Sequence, residues 1–337
     1  MGEHESLAFG DAAQDALGVF SKFKHGDRLH LLNFNLKFTF TQGLITLPRF
    51  RGSGDFGSET CYKKRAMLHW TPALLICAMT SLLARAVPAV EIIAHRGASF
   101  DAPENTVASL RLGYQQEADA GELDIHLTLD QRIVVLHDDD TARVSGVTNN
   151  AAETLLDDLR KLPAGQWGKW KGSGFSETIP SLAEVLKVVP HGKRIYIEVK
   201  CGPEILPELE RVLRASGLKN DQIVLIGFGY ETMVQAKAKF PELRIFWLVG
   251  ADKNKKYPAV AELIAKARAT NLDGLNLEKG FPIDAAFVGE VRKAGLKLYT
   301  WTVDDPAVAR RLADAGVDGI TTNRPKWLRE QLSALAK

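Results

Sequence analysis

ELDIHLTLDQRIVVLHD, residues 122–138, decides how the strands of this chain are counted. Two apolar runs, Leu123–Leu127 and Ile133–Leu136, flank a short polar segment around Asp130 and Gln131. A parallel crossover needs roughly a dozen residues or more, so these two runs must form an antiparallel hairpin. Folding about Asp130-Gln131 sets residue 124 opposite residue 137 and brings His137 beside Asp124.

Outward from the hairpin, short apolar runs alternate with longer amphipathic segments. The other runs are Val90–Ala94, Ile195–Val199, Ile223–Ile226, Ile245–Val249, Gly274–Leu277, Leu298–Trp301 and Gly319–Thr322. Helix-like stretches lie between most of them: Thr106–Ala118, Ser181–Val188, Glu204–Ala215, Glu231–Phe240, Ala259–Thr270, Ala285–Ala294 and Pro306–Ala315. Gly217, Gly295 and Gly316 follow helical patterns, where a C-terminal cap favours glycine. Ser181, and Asp304 or Asp305 ahead of Pro306, read as N-caps. Strand–helix alternation of this kind predicts an α/β fold with a parallel sheet. Setting aside the returning arm of the hairpin leaves eight parallel strands of the nine runs. That count, over about 250 residues, is the size of a (β/α)8 TIM barrel. The hairpin and a small insertion, residues 138–180, then sit between barrel strands 2 and 3. A doubly wound open sheet fits the alternation equally well.

Composition bounds the function. The 337 residues are 45% hydrophobic and 25% charged, ordinary for a globular protein. The net charge of +2 is concentrated at the front: residues 1–89 carry ten Lys or Arg against seven Asp or Glu, and the remainder 33 against 34. A nucleic-acid binder needs a basic stripe, so nucleic acid is excluded as a partner. Of Cys61, Cys77 and Cys201, only the last lies beyond residue 90, which leaves no disulfide framework there. Cys201 reads as a small buried apolar residue.

Residues 63–89, KKRAMLHWTPALLICAMTSLLARAVPA, run from basic to apolar to small side chains, with Ala84-Arg85-Ala86 as an A-x-A site. This is the layout of a secretory signal peptide, and its apolar run is too short for a stable membrane span. The expected organisation is a non-native or disordered extension over 1–66, a signal peptide over 67–89 and a barrel domain over 90–337. If Met67 is the true start, the mature protein is periplasmic or secreted. N-terminal sequencing of the native protein checks this.

Barrel active sites lie at the C-terminal ends of the strands. His95-Arg96, His137-Asp138 and Glu198 with Lys200 fall there, and Glu122 and Asp124 sit on strand 2. Residues two apart on a strand share a side, so Glu122 and Asp124 repel each other. A divalent cation, Mg²⁺ or Ca²⁺, held by Glu122, Asp124 and Glu198 would relieve that. An ion-pair network with Arg96 and Lys200 fits the spacing as well. His95 and His137 suit proton transfer in both directions, and His126 reads as a supporting or solvated residue. Arg96 and Lys200 suit phosphate oxygens. The chain has no P-loop, which argues against nucleoside triphosphate chemistry.

AHRGASFDAPENT, ELDIHLTLDQRIVVLHD, IEVK, WTVDD and GVDGITTNRP, in this order over residues 90–328, resemble the glycerophosphodiester phosphodiesterase family. The resemblance implies a barrel like that of the phosphatidylinositol phospholipases C and a divalent metal. It also implies hydrolysis of glycerophosphodiesters to glycerol 3-phosphate and an alcohol. Position by position, Glu122, Asp124 and Glu198 match the metal ligands, His95 and His137 the acid–base pair, and Arg96 and Lys200 the phosphate contacts. Glu104 matches an active-site carboxylate expected to orient His95 or Arg96. Trp301 matches an aromatic at the mouth. The chain departs from the family pattern at Asn323, where aspartate is common, and before Phe228, where glycine replaces serine. Two other readings share the sequence: a lysophospholipase D or sphingomyelinase D-like lipid phosphodiesterase, with Trp167 and Trp170 as an apolar mouth, and a non-catalytic binding barrel.

Overall fold

The computed structural model describes residues 90–333. The expectations for residues 1–66 and 67–89 lie outside the described residues.

Nine strands form one sheet: β1 Glu91–Ala94, β2 Ala120–Leu127, β3 Ile133–Val135, β4 Arg194–Val199, β5 Ile223–Gly227, β6 Arg244–Val249, β7 Gly274–Glu278, β8 Lys297–Trp301 and β9 Gly319–Thr322. All neighbouring pairs are parallel except β2–β3, and β1 pairs with both β9 and β2, so eight parallel strands close into a barrel. The open-sheet alternative falls on that closure. Eight helices surround it: α1 Val107–Gln115, α2 Leu182–Leu186, α3 Leu206–Ser216, α4 Tyr230–Lys239, α5 Val260–Ala269, α6 Ala285–Lys293, α7 Pro306–Ala315 and α8 Pro325–Ser333. None of the described helices is long and apolar enough to cross a membrane.

Each strand divides its side chains between two cores. On β4, Ile195, Ile197 and Val199 join the shell between sheet and helices, while Tyr196 points into the barrel with Ile93, Val224, Phe246, Leu248 and Tyr299. Burial on both faces is why the strands read as unbroken apolar runs. The floor of the barrel is polar: Glu91 accepts hydrogen bonds from Arg194 Nε at 2.8 Å and Tyr299 OH at 3.0 Å. The caps follow the expected residues. Gly217 and Gly316 are left-handed C-caps, Ser181 closes a capping box, and Asp305 accepts from Val308 N. Asp304 has different partners, Thr322 Oγ1 and the Asn323 amide.

β2 starts at Ala120, three residues before the apolar run suggests. Ala120 and Gly121 carry little apolar signal, and a Cβ on Gly121 would lie 2.6 Å from Leu110 Cδ1, so the helix side chains pack closely over this end of the strand. The longer β2 also seats the hairpin. Its first residues pair with β1, and Ile125–Leu127 pair with β3 along the same edge once β1 has ended.

The hairpin register differs by one residue from the expected one. Ile125 faces Val135, and Leu136 N donates to Asp124 O at 3.0 Å, so Leu136 rather than His137 lies opposite Asp124. The loop has three residues, Leu129–Gln131, with Gln131 left-handed at φ 56° and its N–H bonded to Thr128 O. That odd-length turn, rather than a two-residue one, sets the register. Residues 138–180 form only short helical segments of three or four residues joined by loops, with Leu156, Leu159, Ala164 and Ile179 making a small core of their own against Val134 and Leu136.

Candidate active site

The β1–α1 turn is built around two left-handed residues, Arg96 at φ 53° and Gly97 at φ 82°. A Cβ on Gly97 would fall 2.3 Å from the Ser109 carbonyl carbon, so glycine alone lets α1 close against the strand end. The turn delivers His95 and Arg96 to the barrel mouth. The expected residues converge there. His95, Arg96, Glu122, His137, Glu198, Lys200, Phe228 and Trp301 line one cavity of about 140 Å³ at the C-terminal ends of the strands. Asp124, fully buried, is grouped with the lining residues Glu122 and Glu198.

The three acids are arranged alike. Each has one oxygen held by a protein donor: Glu122 Oε2 by Arg96 N at 2.7 Å, Asp124 Oδ2 by Asn105 Nδ2 at 2.8 Å, and Glu198 Oε1 by Lys200 Nζ at 2.9 Å. Glu122 Oε1 and Asp124 Oδ1 are buried with no hydrogen-bond partner. One ligand atom from each of the three lies within 4.8 Å of the others. Burial, together with the charges of Asp124 and Glu198, pushes the Glu122 carboxyl well above the usual range. Burial, with Asp124 beside it, pushes Glu198 up to about 7. Arg96 and Lys200 are near, with Nε 3.4 Å and Nζ 3.7 Å from Asp124. The ion-pair network is therefore present but leaves two buried oxygens without a hydrogen bond, the Lys200 ammonium standing 3.7 Å from one of them, Asp124 Oδ1. Oxygen donors with that deficit fit a hard divalent cation.

The histidines are held differently. His95 Nδ1 lies 2.7 Å from Asn323 Oδ1, and Asn323 Nδ2 donates to Asp304. The asparagine oxygen thus accepts the Nδ1 hydrogen and leaves Nε2 as the free nitrogen of His95. Burial and the neighbouring Arg96 charge push this imidazole down to about 4, against the opposing pull of Asn323 and Asp124. His137 Nδ1 lies 2.7 Å from Asp138 Oδ1. Since the hairpin register does not place His137 next to Asp124, it reaches the cavity because the chain leaves the ladder after Val135. His126 is buried rather than solvated and its Nε2 lies 3.2 Å from His137 O, so it donates to the segment that turns outward.

Glu104 lies against Arg96 rather than His95, accepting from NH1 at 2.9 Å. It also takes a two-pronged contact from Arg143, at 2.7 and 2.8 Å. Burial disfavours its charge, but the hydrogen bonds and charges of Arg143 and Arg96 outweigh this and hold Glu104 down to about 2. The opposite wall is aromatic. Phe228 and Trp301 pack edge to face at 5.4 Å, Trp301 Nε1 donates to Asn276 O, and Lys200 Nζ stands 5.9 Å from the Phe228 ring. Cys201, next in the chain after Lys200, is half-buried against the shell between sheet and helices, its thiol pushed up to about 11 by burial.

Three residues at the site escape a reading by spacing. Asn105 brackets Asp124, donating from Nδ2 and accepting its backbone N–H at 3.2 Å, from a left-handed position at φ 57° that asparagine tolerates. Its place in PENT was the only signal. Asn323 was visible only as a departure from the family pattern. Arg143, in the insertion, carried none.

Comparison with known proteins decides the family. Residues 95–327 match the glycerophosphoryl diester phosphodiesterase family. The chain belongs to that family. A glycerophosphodiester phosphodiesterase of Caldanaerobacter subterraneus is 31% identical over 243 residues, covering 70% of this chain and 95% of that protein. One of Bacillus subtilis is 30% identical over 252 residues, covering 69% and 83%. A solved phosphodiesterase of Oleispira antarctica, in complex with the product sn-glycerol-3-phosphate, superposes with a TM-score of 0.65 at 30% identity. That superposition covers 72% of this chain and 96% of the other. In this phosphodiesterase fold, β1, β2, β4 and the hairpin supply the polar wall of the cavity, and β5 and β8 supply the aromatic one.

Proposed function

We propose that the protein hydrolyses glycerophosphodiesters to glycerol 3-phosphate and an alcohol. In this reading Glu122, Asp124 and Glu198 hold a divalent cation, Mg²⁺ or Ca²⁺, and His95 and His137 exchange protons with the substrate. One observation carries the reading: Glu122 and Asp124 each bury a carboxylate oxygen that has no hydrogen bond, within 4.8 Å of Glu198, and Glu122 and Glu198 line the same cavity as two imidazoles, a guanidinium and an ammonium. The product bound to the Oleispira relative supports the choice of substrate. A cation held by the three acids supplies positive charge against the phosphate oxygens.

The remaining work falls to side chains. Arg96 offers a planar fork and Lys200 a point charge to the phosphodiester. His95 is neutral, with Nε2 unprotonated, and acts as the general base that takes a proton from the nucleophile. His137, its Nδ1 hydrogen accepted by Asp138, presents Nε2 and returns a proton to the leaving alkoxide. Such transfers contribute roughly 10²–10⁴ each. Phe228 and Trp301 bound the apolar side of the bound molecule and exclude water from it. The nucleophile is the glycerol hydroxyl next to the phosphoester, which yields a cyclic phosphate opened by water in a second step. Finding ¹⁸O from labelled water in product, with no cyclic species at any time point, would favour direct attack by water.

The deciding assay offers glycerophosphocholine and a lysophospholipid, each with Mg²⁺, Ca²⁺ or a chelator. Cation-dependent hydrolysis of glycerophosphocholine is expected. Turnover of the lysolipid alone would make the protein a lipid phosphodiesterase with Trp167, half exposed on the insertion, at its mouth. No turnover with any cation would make it a binding barrel.

A further inference from the structure

A chain of ion pairs leaves the cavity and passes through the insertion. Arg96 NH1 donates to Glu104 Oε1 at 2.9 Å, and Arg143 NH1 and NH2 donate to the two Glu104 oxygens. Arg143 Nε donates to Asp138 Oδ2 at 2.6 Å, and Asp138 Oδ1 accepts from His137 Nδ1. We propose that Arg143 is a positioning residue, which orients His137 through Asp138 and couples it to Arg96 through Glu104. The inference rests on the proton-transfer role given to His137 above.

The geometry needs a guanidinium. All three donors lie in one rigid plane, so two carboxylates are held at a set spacing that a lysine ammonium cannot span. Asp138 lies in a bend between β3 and the turn Ala142–Ser145 and is one-third exposed, so without Arg143 its carboxylate is free to turn to water. The His137 ring then loses the acceptor that directs Nε2 to the cavity. Arg143 itself is anchored by its backbone. It lies in the turn Ala142–Ser145, closed by left-handed Gly146, and the Trp167 ring packs so tightly on Gly146 that a Cβ there would lie 2.7 Å from it. The insertion thereby acquires a task at the site. A half-exposed arginine in a simple surface pair would be worth little. This one engages carboxylates that each touch a group lining the cavity.

The test uses the full chain with its cation and glycerophosphocholine. Arg143→Ala should lower kcat about 10- to 100-fold while KM moves less than about threefold, and Arg143→Lys should recover only part. In an Asp138→Asn background, Arg143→Ala should cost little more, since both act on His137. Imidazole ¹⁵N shifts of the unaltered protein should show His137 as a single Nδ1–H tautomer, and those of Arg143→Ala a mixture. An unchanged kcat, fully additive losses, or mixed tautomers in the unaltered protein would overturn the proposal. The last measurement stands even if a variant fails to fold. If the unaltered protein hydrolyses nothing, the proposed function fails first, and the tautomer still reports the coupling separately.

Discussion

At the scale of single residues, the site is a set of charges whose partners were settled separately. Glu104 is mostly buried between two arginines and held down to about 2. A carboxyl with a depressed folded-state pKa stabilises the fold above its unfolded value, near 4.5, and loses that contribution as pH falls toward 2. Glu104→Gln should therefore cost about 3 kcal/mol at pH 7, with denaturation curves for the two proteins converging near pH 2. His95 is shifted in the opposite sense, toward the neutral ring. A base must be unprotonated, so at saturating cation the acid limb of kcat/KM should lie nearer 4 than 6.5. Asn323→Asp places a carboxylate against Nδ1–H and favours the imidazolium, so that limb should climb by about one to two pH units; a pH–rate profile reads both. His95, Arg96, His137, Glu198 and Lys200 were legible because each sits at or beside a strand end, and Glu122 and Asp124 because they share one side of β2, all in runs of obvious period. Arg143 was not, because an irregular insertion has no period to locate it.

At the scale of elements, the apolar runs predicted nearly every strand, since strands buried on both faces have no polar alternation to dilute them. The two misreadings have local causes. Ala120-Gly121 hid the start of β2 behind two small residues, one facing the barrel interior and one close under Leu110, and a left-handed Gln131 shifted the hairpin by one. The β1–α1 turn is the most exacting element. Gly97→Ala forces a side chain into left-handed backbone and against the Ser109 carbonyl. It should cost about 2 kcal/mol or more and displace His95 and Arg96 together, so thermal melting and kcat should fall in concert.

At the scale of the whole molecule, closure of the barrel concentrates acids from β2 and β4 into one buried cluster, an arrangement that is costly without a counter-charge. A bound divalent cation at about 100 times its dissociation constant should raise the unfolding free energy by about 2.7 kcal/mol. Glu122→Gln removes one of the repelling charges. It should melt no lower than the unaltered protein in chelator, yet lose the cation-induced rise and the hydrolysis; calorimetry with and without Mg²⁺ or Ca²⁺ separates the two effects. Strand–helix alternation, the hairpin and the chemistry-bearing side chains were determined by sequence alone, because period and residue type are local properties of the chain. Whether the sheet closes, which oxygen of each acid stays free, and which partner stands behind each histidine were decided only by tertiary structure. Those depend on contacts between residues as far apart as His95 and Asn323, and no local pattern records them.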